Sequence, residues 1–210
     1  YNYKPNNIAL SLKNRKTKVY NQFRGPKING QYTLDEIGLV DYLTKVYRSY
    51  YRIYWNFPSL KSVYRKFPNY MMWDDHEIMD GWGSLTKPER IEKLGKYLKP
   101  RDPEINETIS QIAFKAAKQA YLDYQHLHNP DTNVTPHQLN NRRISLPKDD
   151  QIWDYQFEKG NIGFYVLDTR NHHDVEHNPI GHKLLNIKQL KRFNNWLSNC
   201  QHQKLKALFI

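Results

Sequence analysis

The sequence has a single cysteine and no long apolar run, and these two shortages exclude several classes of protein. Cys200 is the only cysteine among 210 residues, so an internal disulfide cannot form and a small disulfide-stabilised module is excluded. No apolar run approaches the roughly 20 residues that a helix needs to cross a bilayer, which predicts no transmembrane segment. The chain is long enough, and at 39% hydrophobic residues apolar enough, to build a substantial core.

Acidic residues are outnumbered in this chain. Thirty-two lysines and arginines against 21 aspartates and glutamates give a net charge of +11, which suits nucleic acid, an anionic surface or a phosphorylated substrate. The charge and the sixteen tyrosines, which could stack on bases, support a basic nucleic-acid-binding module as one alternative. The basic residues are scattered, however, and no RNP, KH or zinc-knuckle pattern occurs, which makes nucleic-acid binding the weaker hypothesis.

Helix-start and turn signals predict one α/β domain. Thr33 with Glu36, and Thr86 with Glu89, each match a capping box that opens a helix. Periodicity predicts helices over about 34–55, 59–66, 86–97 and 103–128 and from 186, strands over 69–73 and 205–210, a hairpin over 152–167 and a loop over 131–150. Because the apolar run 205–210 predicts a buried strand without the loop that follows it, we expect the sequence to be a segment of a larger protein.

Four carboxylates and one imidazole lie within the eight residues 73–80, WDDHEIMD. Adjacent like charges gain little on a plain surface, but they become favourable where a multivalent cation neutralises them. A neighbouring histidine can protonate a leaving oxygen. The alternative interpretation is an acidic turn that caps a helix, and the histidine and the predicted buried strand favour the functional interpretation.

Three segments resemble the PhoD-like metallophosphatases, the alkaline phosphatase D group of the calcineurin-like metallophosphoesterase superfamily. Residues 70–83, YMMWDDHEIMDGWG, are similar to the signature of that family. Residues 164–170, FYVLDTR, resemble its next landmark, and the helix and strand over 186–210 resemble the segment that follows. The order and approximate spacing of the three segments also agree, so the resemblance covers most of the chain.

The resemblance implies a fold and an activity. The fold would be an α/β/β/α metallophosphoesterase sandwich. Residues 1–210 would form an incomplete part of this sandwich, with long helical insertions, and would belong to a single catalytic domain. The activity would be alkaline hydrolysis of phosphomonoesters or phosphodiesters by a metal-bound hydroxide that attacks phosphorus in line, so no protein nucleophile is needed. The metal is left open among Ca, Fe, Zn, Mn and Mg.

The resemblance also implies roles for individual residues. Asp75 falls where the superfamily has a metal-ligating asparagine, which makes it the first metal-ligand candidate, and Asp80 is a second. His76 falls where the acid for the leaving group would be, and Asp74 with Glu77 would orient His76 or hold the turn.

A second pair of candidates follows the predicted hairpin. Arg170 would supply a planar donor fork to a phosphate, and Asp168 would position it. The alternative for these two residues is an ion pair at the end of a strand.

Two expected motifs are missing. The family draws further metal ligands from an upstream Gly-Asp motif and a downstream Gly-Asp-x-His motif, and neither occurs here. We therefore expect the segment alone to bind metal weakly and to turn over poorly, and a PhoD-like scaffold without activity is the other alternative. The histidine-rich stretch after Arg170 (His172, His173, His177 and His182) lacks zinc-motif spacing and is interpreted as a solvated loop.

Overall fold

The computed structural model describes residues 22–28, 31–95, 103–130, 152–173, 184–202 and 205–210. The helices are α1 (Glu36–Trp55), α2 (Pro58–Lys66), α3 (Lys87–Gly95), α4 (Pro103–Tyr124) and α5 (Ile187–His202), with a short 3₁₀ turn at His126–His128. The strands are β1 (Arg24–Ile28), β2 (Gln31–Leu34), β3 (Tyr155–Lys159), β4 (Ile162–Val166) and β5 (Ala207–Phe209).

The main core forms where α1 packs against α4. Leu43 of α1 and Ala116 and Ala120 of α4 are almost wholly buried there, and alanines on α4 allow its partner to approach closely. Arg48 of α1 donates to Asp123 at 2.6 Å, which joins the two helices near the end of α4. This helix pair forms the base on which the acidic stretch lies.

The start of α1 differs from the prediction. Asp35, not Thr33, is the N-cap, and its side chain accepts from the Gly38 N–H at 3.0 Å. Thr33 instead lies in β2, where its hydroxyl donates to the Pro26 carbonyl of the paired strand β1. The predicted capping box at Thr33 is therefore wrong, because Thr33 belongs to the β1–β2 strand pair and its hydroxyl binds there.

The predicted buried strand at 69–73 is also wrong. These residues are irregular and have no strand partner in the described part of the chain. Side chains satisfy the backbone instead: Asn129 accepts from the Met71 N–H at 2.9 Å and donates to its carbonyl at 2.7 Å, and the Tyr155 hydroxyl donates to that carbonyl at 3.0 Å. The acidic stretch thus follows an extended segment that is held by side chains.

The predicted hairpin is confirmed as β3 and β4, which pair antiparallel around Gly160 at φ +60°. The predicted start of α5 is confirmed too, since Asn186 accepts from the Gln189 N–H at 2.7 Å. Trp196 and Cys200 of α5 pack with Tyr165 of β4 in a second, smaller core.

The predicted strand at 205–210 is confirmed as β5, which pairs parallel with β4, but the prediction that it is buried is wrong. Leu208 and Phe209 are 41% and 55% exposed, because the buried residues of the second core come from α5 and β4. The chain thus has a mixed α/β fold, and the complete α/β/β/α sandwich stays a prediction. In the described part of the chain, no helix combines the length and the apolarity needed to cross a bilayer.

Candidate active site

The acidic turn at residues 74–80 is held by hydrogen bonds between its own side chains and backbone. Asp74 accepts from the His76 N–H at 2.6 Å, and Glu77 accepts from the Asp74 N–H at 2.7 Å. Asp75 accepts from the Gly81 N–H at 2.8 Å through Oδ2. Gly81 has a φ of +82°, a conformation that favours glycine and lets the chain turn back toward Asp75. Each aspartate therefore has one oxygen engaged in the turn.

The other oxygens of the two aspartates converge on one imidazole nitrogen. His76 Nδ1 lies 3.6 Å from Asp74 Oδ2 and 3.4 Å from Asp75 Oδ1. Asp74, Asp75 and His76 each offer one ligand atom within 4.8 Å of the others. Two carboxylate oxygens and an imidazole nitrogen are donors that first-row divalent ions accept, so these residues fit a metal ion by their chemistry.

Asp80 lies on the opposite side of the same imidazole. Its Oδ1 is 3.6 Å from His76 Nε2, and its Oδ2 accepts from Lys93 of α3 at 2.6 Å. The hydrogen bond from Lys93 and the positive charge of that ammonium lower the pKa of the Asp80 carboxyl. The structure thus places Asp80 beside His76 but does not bring it into the group formed by Asp74 and Asp75.

Buried groups below the turn fix its position. The Tyr47 hydroxyl of α1 donates to the Ile78 carbonyl at 2.7 Å. Gln125, just after α4, donates to Glu77 at 2.9 Å and lies 3.1 Å from the Tyr51 hydroxyl. The turn is therefore attached to both helices of the main core.

The pKa values of the Glu77 and Asp74 carboxyls in the turn are shifted in opposite directions. Burial raises the pKa of Glu77, and the nearby Asp74 carboxylate adds to that effect. Burial acts in the same direction on Asp74, but the hydrogen bond from the His76 backbone and the Glu77 and His76 side chains outweigh it and lower the pKa of Asp74. Asp74 therefore keeps its negative charge beside His76.

The structure brings Arg170 to the acidic turn from nearly a hundred residues away. One guanidinium nitrogen, Nη2, lies 3.8 Å from Asp75 Oδ1. The other, Nη1, donates to the Trp82 carbonyl at 3.2 Å and lies 3.5 Å from Ser84 Oγ. The guanidinium is thus held at the edge of the turn by the segment that follows it.

Asp168, unlike Arg170, is buried, and its side chain binds backbone and indole N–H groups. Its Oδ1 accepts three N–H groups: the Trp73 indole at 2.9 Å, the Arg170 backbone at 3.1 Å and the Asn171 backbone at 3.0 Å. Gln189 of α5 donates to its carbonyl at 2.9 Å. Asp168 therefore links the strand end that carries Arg170 to the residue just before Asp74.

The other histidines have different surroundings. His126 is 3% exposed and packs against Trp153 with ring centroids 4.8 Å apart; burial lowers its pKa to about 4. Burial therefore favours the neutral imidazole of His126. Burial also lowers the pKa of His172. His177 and His182 lie outside the described residues.

Two residues of the site carry no signal in the sequence. Lys93 is 13 residues from Asp80, and Gln125 is 48 residues from Glu77. Thr86 and Glu89 do indicate the start of α3, and Glu89 does accept from the Thr86 N–H at 2.8 Å. Nothing in that pattern, however, indicates that α3 turns Lys93 toward the acidic turn.

The fold and the site define a class: an α/β protein with a clustered Asp-Asp-His group and an adjacent arginine. The family model of the PhoD-like phosphatases matches residues 30–207 of the chain, and the chain belongs to that family. No curated protein and no solved structure matches it significantly. The family is one of metal-dependent phosphatases that act on phosphate esters, so neither nucleic-acid binding nor an interaction-only role is favoured.

Proposed function

We propose that this chain carries part of the catalytic centre of a metal-dependent hydrolase of phosphoric mono- and diesters. One observation supports the proposal above the others: Arg170 reaches the acidic turn and lies 3.8 Å from Asp75. A cluster of carboxylates with a guanidinium beside it combines donors for a cation with a planar fork for a phosphate. The proposed catalytic domain includes residues 1–210 and has the α/β/β/α sandwich expected from the resemblance.

Asp75 and Asp74 would hold the metal through the carboxylate oxygens that the turn leaves free. Asp80 is proposed as a further ligand. Lys93, which donates to Asp80, would compete with the metal for this carboxylate. A bound divalent ion supplies Lewis-acid chemistry, because it neutralises phosphate oxygens and lowers the pKa of water.

His76 is the proposed proton donor to the leaving oxygen. His76 lies beside Asp74 and Asp75, and its side chain is 40% exposed, so a substrate can reach it. The hydrogen bond from its backbone to Asp74 holds the residue in place. General acids of this kind contribute roughly 10²–10⁴-fold to the rate.

Arg170 would bind the phosphate oxygens through Nη2. The contacts of Nη1 with Trp82 and Ser84 fix the plane of the guanidinium. Asp168, which accepts from the Arg170 backbone, would keep the strand end in register with the turn. Arg170→Lys keeps the charge but loses the fork, so we expect it to raise KM.

The test is hydrolysis of p-nitrophenyl phosphate and of bis-p-nitrophenyl phosphate by the full-length protein, from mildly acidic to alkaline pH. Activity should disappear on chelation and return when a divalent metal is added. The preferred substrate separates a phosphomonoesterase from a phosphodiesterase. A well-folded full-length protein that hydrolyses neither compound with any of the five candidate metals would contradict the proposal and favour an inactive relative of the family.

A further inference from the structure

Helix α2 buries none of its nine residues in the described part of the protein. A helix this short is marginal in water unless one of its faces is covered. The Tyr64 ring lies 5.0 Å from that of Trp55 at the end of α1, while the rest of the helix projects outward. A surface that covered its exposed side would therefore stabilise it.

The outward side of α2 is apolar along its whole length. Phe57, Leu60, Val63 and Phe67 are 51%, 38%, 45% and 61% exposed. Their spacing of three and four residues places them along one side of the helix. A cavity of about 280 Å³ continues this side, lined by Trp55, Tyr64, Phe67, Pro68, Asn69, Tyr70, Met71 and His128. Clusters of exposed apolar side chains with polar residues at their rim are typical of interaction sites.

Cations border the apolar side, and acids are absent. Residues 56–73 contain Lys61, Arg65 and Lys66 and no aspartate or glutamate. Lys61 and Lys66 lie roughly 100–120° to either side of Leu60 around the helix axis. We call the set Phe57, Leu60, Lys61, Val63, Arg65, Lys66 and Phe67 the α2 surface.

We propose that the α2 surface binds the face of an anionic phospholipid bilayer. Helices that lie in a membrane interface combine an apolar stripe, aromatic residues and flanking lysines or arginines. Each cation near a negatively charged leaflet adds to the attraction, and the net charge of +11 over the chain acts in the same direction. The complementary surface is therefore both apolar and negatively charged, which a lipid bilayer provides and a nucleic acid does not.

The test is cosedimentation of the full-length protein with two kinds of vesicle, pure phosphatidylcholine and phosphatidylcholine mixed with phosphatidylglycerol. We expect binding to the anionic vesicles and much weaker binding to the neutral ones. Lys61→Gln with Arg65→Gln should lower the partition constant on anionic vesicles by about thirtyfold at low salt. Leu60→Ser with Phe67→Ser should lower it by about tenfold or more, and this loss should persist at high salt.

Helix α5 offers matched controls. Lys188→Gln with Lys191→Gln makes the same change in net charge at exposed positions, and Ile187→Ser with Leu190→Ser removes exposed apolar side chains of similar size. Neither control should change vesicle binding by more than about twofold. Circular dichroism would establish that every variant is folded.

Three outcomes would overturn the proposal. The first is no binding of the wild-type protein to anionic vesicles. The second is an equal loss in the α5 controls, which would show attraction by net charge alone. The third is a loss with the lysine and arginine changes but none with the Leu60 and Phe67 changes, which would identify a site for a soluble polyanion or an acidic protein. None of these outcomes depends on phosphatase activity.

Discussion

Two neighbouring regions of the molecule are built by opposite means. The acidic turn at 74–80 exposes Asp74, His76 and Asp80, has no regular secondary structure and is held by hydrogen bonds. Directly beneath it lies an aromatic layer of Trp73, Tyr121, His126 and Trp153, in which neighbouring ring centroids are 4.8–5.7 Å apart. All four side chains are 3% exposed or less.

The acidic turn carries the proposed reactive groups, and the aromatic layer stabilises the fold beneath it. Side chains of the turn keep oxygen and nitrogen atoms available to a ligand because few neighbours bind them. The aromatic layer stabilises the fold because its rings are buried. Changes in the turn should therefore alter activity and leave stability nearly unchanged. Changes in the layer should lower stability first, and activity only as a consequence.

The largest effect is expected for Trp73→Ala, which removes a ring that packs against both Tyr121 and Trp153 in the layer. Trp73 is 2% exposed, and its indole donates to Asp168. Large-to-small changes of a buried tryptophan cost about 3–5 kcal/mol, and here Asp168 also loses a donor. Urea unfolding should show this loss in the free energy of unfolding. Tyr70, which is 45% exposed and stacks on Phe157 of β3, is the control, and Tyr70→Ala should cost clearly less.

The second prediction concerns pH. Burial lowers the pKa of His126 from 6.5 to about 4, so the unfolded chain takes up this proton first as the pH falls. The free energy of unfolding should therefore decrease between about pH 6.5 and pH 4, by about 3 kcal/mol in total from this residue. Unfolding of His126→Gln across the same range should lack that part of the slope. A slope unchanged from the wild type would show that His126 is not held neutral.

The third prediction concerns the turn itself. His76→Ala should lower kcat by about a hundredfold or more if the imidazole protonates the leaving group, and the loss should be smaller for a substrate whose leaving group is a weak base. The free energy of unfolding should change by less than about 1 kcal/mol, since the side chain is exposed. His128→Ala removes another exposed histidine and should leave kcat unchanged. A large loss of stability in His76→Ala would contradict the separation of the two regions.

The smallest effect is expected at the edge of the turn. Lys93→Ala frees the Asp80 carboxylate, and we expect a change of only severalfold in kcat/KM, with Lys93→Arg restoring part of it. The stability loss should be below about 1 kcal/mol, because the pair is partly exposed. Lys45→Ala, which breaks a comparable pair with Asp41 on α1, should not affect kcat/KM.

Local signals predicted much of this structure, and the errors share a cause. Caps at Thr86 and Asn186, the hairpin around Gly160 and the grouping of acids at 74–80 depend on residues close in sequence, and the structure contains all of them. Thr33 and residues 69–73 were wrongly assigned because distant partners decide there: Pro26 takes the threonine hydroxyl, and Asn129 and Tyr155 replace a neighbouring strand.

The candidate site shows the same limit. The pattern at 73–80 predicts a set of carboxylates around one imidazole, and the structure does bring Asp74, Asp75 and His76 together. The contacts of Lys93, Gln125 and Arg170 with this turn span 13 to 95 residues of sequence. Such contacts follow from the packing of helices and strands, and no local spacing encodes them.

Metal binding by the full-length protein tests the central claim most directly. Calorimetric titration of the metal-free wild-type protein should show saturable binding of a divalent ion, and Asp75→Ala should weaken that binding and abolish metal-dependent hydrolysis of p-nitrophenyl phosphate. Asp41→Ala, a change of the same kind on the surface of α1, should affect neither. Wild-type affinity and activity retained in Asp75→Ala would show that the acidic turn is not the metal centre.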